Sequence, residues 1–235
     1  MNMSPNIQKI QHLVSQHGFG QTAFNLGYRV ANRFMTAMVL KVVVLTMDGV
    51  NKGLIAGRDD RWKFLTREEL EHFSKVDSLL ELDPDFLAHA LARGDRCYGF
   101  VQDGVLGAYG WYSNHPTPIS ANLTVEFDPE YVYMYKGFTA DAFRGMRLHG
   151  IGMARAMQAF TEQGSKGLIS YVEAHNQASL KSCERLGYRI IGTVVVGGIG
   201  PACVSYPSPG CRPFGFRVPV GRSSWLQPET LAAHP

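Results

Sequence analysis

The chain is poor in the residues that would commit it to a metal, a disulfide scaffold or a membrane. It has four cysteines in 235 residues, Cys97, Cys183, Cys203 and Cys211, with no Cys-x-x-Cys pair. That excludes the spacing of structural zinc sites and redox dithiols, and no His/Cys/carboxylate spacing suggests another metal, so none is expected. No signal peptide pattern precedes the cysteines, and a reducing cytoplasm is the expected setting. The most apolar stretch, Phe34 to Met47, is short and broken by Lys41. Burial in a fold is the expectation, rather than a membrane span. Charge of either sign is also in short supply: 23 Lys and Arg against 20 Asp and Glu give +3 and a pI near 8.7. The excess suits an anionic ligand but is too mild for nucleic acid, and no basic run is interleaved with aromatics. No repeat or low-complexity tract stands out.

What is present reads as one enzyme-sized α/β unit with extensions at both ends. Ile7 to His17 suggests a short helix. Thr22 to Met38 carries Phe24, Leu26, Val30, Phe34 and Met38 with Arg29 and Arg33 between them, as an amphipathic helix would. Such a helix could instead lie on a membrane surface. Leu40 to Met47 is a strand by β-branching. Thr66-x-x-Glu69 is a capping box opening a helix to Val76, and Asp83-Pro84 opens another that ends near Gly94. Arg96 to Gln102 and Val105 to Tyr112, joined at Asp103-Gly104, form a hairpin. Tyr131 to Thr139 and Leu168 to Ala174 are strands, with a helix to Gln163 between them that stops at Gly164. Asn176 caps a helix over Gln177 to Leu186, ended by Gly187. Strand, helix, strand, helix favours neighbouring parallel strands. After the strand Arg189 to Val196 comes a Gly/Pro-rich tail, Gly197 to Ser224, which suggests a lid or an edge strand. The division expected is an N-terminal extension over 1–47, a core over 48–196 and a C-terminal extension over 197–235.

The segment between the two parallel strands carries the chemistry. Arg144-Gly145-Met146-Arg147-Leu148-His149-Gly150-Ile151-Gly152 sets glycines and cations where a helix begins. Backbone N–H groups of a first helical turn lack intrahelical partners and sit at the positive end of the helix dipole, so they receive phosphate oxygens when no side chain intervenes. Gly150 and Gly152 remove side chains; Arg144 and Arg147 add charge. A dinucleotide fingerprint starting at Gly150 meets Arg155 where close packing needs a small residue. A phosphate loop ending Gly-Lys-(Ser or Thr) is absent, since Gly164-Ser165-Lys166-Gly167 has the wrong order. A glycine turn that binds nothing is the bland competitor, and Asn176 at a compatible distance weighs against it.

These motifs resemble the GNAT acyltransferase superfamily over roughly Tyr98 to Val196. Arg147-Leu148-His149-Gly150-Ile151-Gly152 fits its pyrophosphate pattern, (Gln or Arg)-x-x-Gly-x-(Gly or Ala), and Val172-x-x-x-Asn176-x-x-Ser179, closing on Leu186-Gly187-Tyr188, resembles its second motif. The usual distance from loop Arg to motif Asn points instead to Arg144 as the first position, with Arg147 and His149 where glycines are usual. Both registers remain open. The resemblance implies a largely antiparallel sheet with a splayed central parallel pair flanked by helices. It further implies acetyl-CoA or another acyl-CoA as co-substrate, held by Phe138, Thr139, the loop Arg144 to Gly152 including Ile151, Asn176 and Ser179.

The implied chemistry is direct acyl transfer to an amine of a small molecule or saccharide. A base must take the proton of the attacking ammonium, and Glu173, Asp141 and Glu126 are the candidates. Glu173 as a solvent-facing strand-end residue is the plain alternative. Backbone N–H groups near Phe138 and Thr139 would meet the developing oxyanion. The family often has a Tyr seven residues after the motif Asn to protonate the leaving thiolate. Here that position is Cys183, equally readable as a small buried hydrophobe. His149 and His175 read as structural or phosphate-side. Two rival readings are a non-catalytic acyl-CoA-binding or regulatory module, and a membrane-peripheral enzyme using a long-chain or lipid-linked substrate. The sequence assigns no oligomeric state.

Overall fold

Side-chain caps fix where three of the four α-helices begin among the described residues. In the computed structural model, which describes residues 36–199 and 202–221, Thr66 Oγ1 accepts from Glu69 N while the Glu69 carboxylate accepts from Thr66 N. Asp83 caps the next helix through Asp85 and Phe86 N, with Pro84 at its first position. Asn176 Oδ1 accepts from Ser179 N at 3.0 Å, and Gly187 closes that helix at φ +100°. Each cap satisfies a donor or carbonyl that the helix cannot.

The elements run β1 (Thr36–Leu45), β2 (Trp62–Phe64), α1 (Arg67–Val76), α2 (Pro84–Ala92), β3 (Arg96–Gln102), β4 (Val105–Ser113), β5 (Thr117–Ser120), β6 (Leu123–Val125), β7 (Tyr131–Thr139), α3 (Leu148–Glu162), β8 (Gly167–Glu173), α4 (Gln177–Leu186), β9 (Arg189–Ile199) and β10 (Ala202–Pro207). Eight strands form one open sheet in the order β10-β9-β1-β8-β7-β4-β3-β2, and β5-β6 is a separate hairpin. Every neighbouring pair is antiparallel except β7 and β8. The fold is thus a mixed α/β one with a single parallel pair at its centre.

One expectation is corrected here. The helix expected over Ile7 to His17, and that over Thr22 to Met38 as far as residue 35, lie outside the described residues. From Thr36 to Met38, however, the chain is already β-strand. The β-branched run after it pairs on both sides, and tertiary pairing overrides local helical spacing. β1 lies inside the sheet between β8 and β9. Likewise the C-terminal segment is built into the fold: β10 extends the sheet, and residues after it return to bridge Glu126↔Arg217 and Leu123↔Val220.

The sheet is covered on both faces. On one, α3 buries Met153, Met157 and Phe160 against Val43, Leu45, Tyr112 and Val132. On the other, α1 and α2 cover Cys97, Tyr109 and Trp111. The β5-β6 hairpin and the returning C-terminal segment cover Leu40, Tyr133, Ile169 and Val194 with Val125, Phe216 and Val218.

Candidate active site

The parallel pair holds together for only three residues. Tyr131, Val132 and Tyr133 pair with Gly167, Leu168 and Ile169; the last tie is Ser170 Oγ donating to the Met134 carbonyl at 2.7 Å. Beyond it the strands part. The cause lies in β7: Tyr112 pairs with Met134 and Trp111 with Lys136, so Tyr135 is an extra, bulged residue. A bulge bends its strand and re-aims side chains. From Lys136 to Thr139, β7 is therefore paired on its β4 edge and open toward β8.

A hollow of about 220 Å³ occupies the opening, lined among others by Met134, Tyr135, His149, Tyr171, Ser179 and Cys183. At its head the chain turns through Gly145 at φ +87° and Arg147 at φ +59°, and α3 starts at Leu148. The first helical bond runs from Ile151 N to Arg147 O at 3.1 Å, so the N–H groups of Leu148, His149 and Gly150 precede the ladder. A Cβ at Gly145 would meet nothing within 4 Å.

The sequence-predicted cofactor residues divide into two groups. His149 and Ser179 line the opening, and Gly145, Arg147 and Asn176 lie where α3 and α4 begin. Gly150 and Gly152 also stand at close packing contacts. A Cβ at Gly150 would stand 2.8 Å from Leu186 Cδ2, and one at Gly152 2.7 Å from the Trp62 ring, so these glycines let α3 pack on α4 and β2. Leu148 is buried in the core and Ile151 packs against it. Arg144 Nη2 contacts Asp141 at 2.7 Å, both highly exposed. Phe138 stacks on Tyr109 with centroids 5.5 Å apart, and Thr139 pairs with Ala108.

Of the acid–base candidates, Glu173 ends β8 with Oε2 3.1 Å from His175 Nδ1, each side chain about one-third exposed. Asp141 belongs to the Arg144 turn rather than to the splayed strands. Glu126 is paired with Arg217 in a separate surface hollow that shares no lining residue with the opening. It directly follows β6 and bridges to Arg217 of the C-terminal segment. The Cys183 thiol lines the opening, and burial pushes its pKa up to about 11. The His149 imidazole lies against Gly137 and Met134, where loss of hydration lowers its pKa.

Sequence reasoning missed three residues here. Tyr135 and Tyr171 line the opening, and the Tyr135 hydroxyl donates to Asp95 Oδ2 at 2.8 Å. Asp95 is 4% exposed and also accepts from Arg93. Burial first, and the Asp95 charge second, hold the Tyr135 phenol above its ordinary pKa. The available signal was the alternation Tyr131-x-Tyr133-x-Tyr135, which puts three rings along one strand.

No protein-family profile and no curated protein matches the sequence. Among solved structures, the chain is similar to a GNAT-family acetyltransferase from Colwellia psychrerythraea: 14% identity, TM-score 0.45, covering 80% of this chain and 57% of that one. A GCN5-related N-acetyltransferase-like protein from Streptococcus suis is 15% identical, TM-score 0.44, over 85% and 68% of the two chains. The chain is similar to GNAT proteins in fold. A third neighbour, the aminoglycoside N-acetyltransferase AAC(6')-Iy in complex with CoA, is 19% identical with TM-score 0.41, over 55% of this chain and 90% of that one.

Proposed function

We propose that this protein is an acyl-CoA-dependent acyltransferase of the GNAT kind, passing an acyl group directly to the amine of a small molecule or saccharide. The observation that carries the reading is the β7–β8 opening with two helix N-termini at the ends of its strands, the first turned by Arg147 and the second capped by Asn176. A pyrophosphate needs free N–H donors, positive charge and backbone unobstructed by side chains. Gly145, Arg147, Leu148 and His149 meet those needs. The register beginning at Arg144 is favoured because its glycine position falls on Arg147, the one loop residue besides Gly145 at positive φ. In the other register that position is Gly150, an ordinary helical residue packed on Leu186.

The open edge of β7 would pair with the pantetheine arm and offer N–H donors near Phe138 and Thr139 to the oxygen that gains charge. Glu173 is the base we favour, since it ends the strand that borders the opening and stands next to His175. Its carboxylate takes the proton that an attacking ammonium must lose. Calorimetry with CoA, followed by thiol release from acetyl-CoA with a panel of amines, tests the reading. Micromolar binding with no thiol release for any amine would favour a binding module instead; absence of CoA binding would remove both.

A further inference from the structure

The hairpin of β9 and β10 has one buried and one exposed apolar face. Cross-strand pairing sets Val195 opposite Tyr206, Gly197 opposite Val204 and Ile199 opposite Ala202, and Val39 of β1 stands opposite Val195 on its other side. Residues directly opposite one another share a face of the sheet. Val195, Ile199, Val204 and Tyr206 are 45%, 68%, 50% and 67% exposed, and Ile190, opposite Val43, continues the face at 58%. Val194 and Val196 point the other way, into the core with Phe216 and Val218. The sequence carries no Asp, Glu, Lys, Arg or His between Arg189 and Arg212, although 18% of the chain is charged. Sheet margins that face water are ordinarily guarded by charge, lysine above all. Here that guard is missing, and a contiguous apolar patch marks an interaction surface where single apolar side chains would not.

We propose that this face is an interface with a second copy of the chain, the two hairpins packed face to face as two sheets pack. The relief of the face identifies the occupant. Gly197 lies between Val195 and Ile199 on β9, and a Cβ there would meet nothing within 4 Å, so a hollow stands beside the projecting Val204 and Ile199. A two-fold axis turns such a face onto itself, and each copy then offers both the projections and the hollow. With no charge on either side, no like-charge repulsion opposes the contact. Pairing edge to edge along β10 would leave these side chains in water, and Pro207 ends that edge without an N–H donor. From Ile190 to Ile199 the face is about 30 Å long and its three strands about 14 Å across, a footprint of about 400 Å² against the ~800 Å² per partner of a standard interface. The dimer is therefore weak, and its population follows concentration.

Sedimentation velocity of the full-length protein, from about 1 to about 200 μM to bracket weak complexes of this size, reads the mass directly. The wild type should move from the 26.0 kDa monomer toward twice that mass as concentration rises. Val204→Lys and Tyr206→Lys place a charge where the monomer is already exposed to water, so both should keep the wild-type thermal midpoint and weaken association by more than about tenfold. Val105→Lys, at an exposed position on β4 across the sheet, should associate as wild type does. Amide exchange over residues 193–207 of the unaltered chain should slow as concentration rises, a readout that needs no variant. The proposal is overturned by a wild-type mass that stays monomeric, with exchange independent of concentration, over the whole range. Cosedimentation of that monomer with phosphatidylserine vesicles would assign the face to lipid, and loss of thermal stability in Val204→Lys and Tyr206→Lys of that monomer would assign it to cover by the same chain. A dimer that both face variants leave intact overturns it equally.

Discussion

Arg147 carries two opposed contributions at one position. Its left-handed backbone is costly for a residue with a Cβ, by about 1–2 kcal/mol, while its charge sits at a helix N-terminus where an anion would bind. Arg147→Gly should therefore raise folding stability by about 1 kcal/mol and weaken CoA binding by about 0.3–1 kcal/mol. Denaturant melts and calorimetry at two salt concentrations read the two effects separately, and the affinity loss should shrink at high salt. Gly152→Ala acts in the opposite sense on stability. Its new methyl would stand 2.7 Å from the Trp62 ring, and overpacking of that kind costs about 1–3 kcal/mol. His149 makes stability depend on pH. Its folded pKa is lowered by lost hydration, so the unfolded chain binds the proton more readily. Stability is thus full above the ordinary histidine value and falls as pH drops through it. Wild type should lose more stability than His149→Gln between about pH 7 and pH 5, measured by urea midpoint.

At the scale of elements, two caps of the same chemistry separate folding from binding. Thr66 caps α1 and Asn176 caps α4, each through a side-chain oxygen accepting a backbone N–H. Replacing either with Ala should cost about 0.5–2 kcal/mol of stability. Under the proposed function, Asn176→Ala should also weaken CoA binding, because α4 begins beside the opening, whereas Thr66→Ala should leave it unchanged. Equal effects of the two on CoA affinity would count against α4 as part of the cofactor site. The β7 bulge works at this scale too: one unpaired residue, Tyr135, turns the strand away from its neighbour and tethers it to the buried Asp95. That is how a sheet otherwise paired throughout acquires a gap at its centre.

At the scale of the whole molecule, β1 joins the two sides of the sheet. β1 pairs with β8 on one side and β9 on the other, and Leu40, Val42, Val43, Val44 and Leu45 are each at most 1% exposed. Burial of such side chains contributes about 1.5–3 kcal/mol each, a sum comparable to the whole stability of an ordinary domain. Removal of residues 1–47 should leave a chain that does not fold cooperatively, visible as loss of the thermal transition in circular dichroism. A truncated protein that melts with a wild-type midpoint would contradict the central place of β1. Among the described residues no helix is long and apolar enough to cross a membrane.

Local signals in the sequence were enough for the helices after residue 65, because a cap and a stop are written in neighbouring residues: Thr66 with Glu69, Asp83 with Pro84, Asn176 with Gly187. They were enough for the β3–β4 hairpin as well, where Asp103 and Gly104 both take the positive φ that such a turn requires. The parallel β7–β8 pair followed from the order of elements. Other features depend on partners distant in sequence. Gly150 and Gly152 look alike as loop glycines, and only Leu186 and Trp62 reveal that they are packing positions. Glu173 ends β8 and Glu126 directly follows β6, yet the returning C-terminal segment takes Glu126 into an ion pair with Arg217, while Glu173 stands beside His175. The bulge at Tyr135 is a mismatch between two strands and belongs to neither alone. Periodicity and caps are properties of a few consecutive residues, so the sequence by itself determined most of the elements and the loop of glycines and arginines that opens α3. Which strands meet, which glycine faces a helix and which tyrosine borders the gap are properties of contacts between remote segments, and those only the tertiary structure decided.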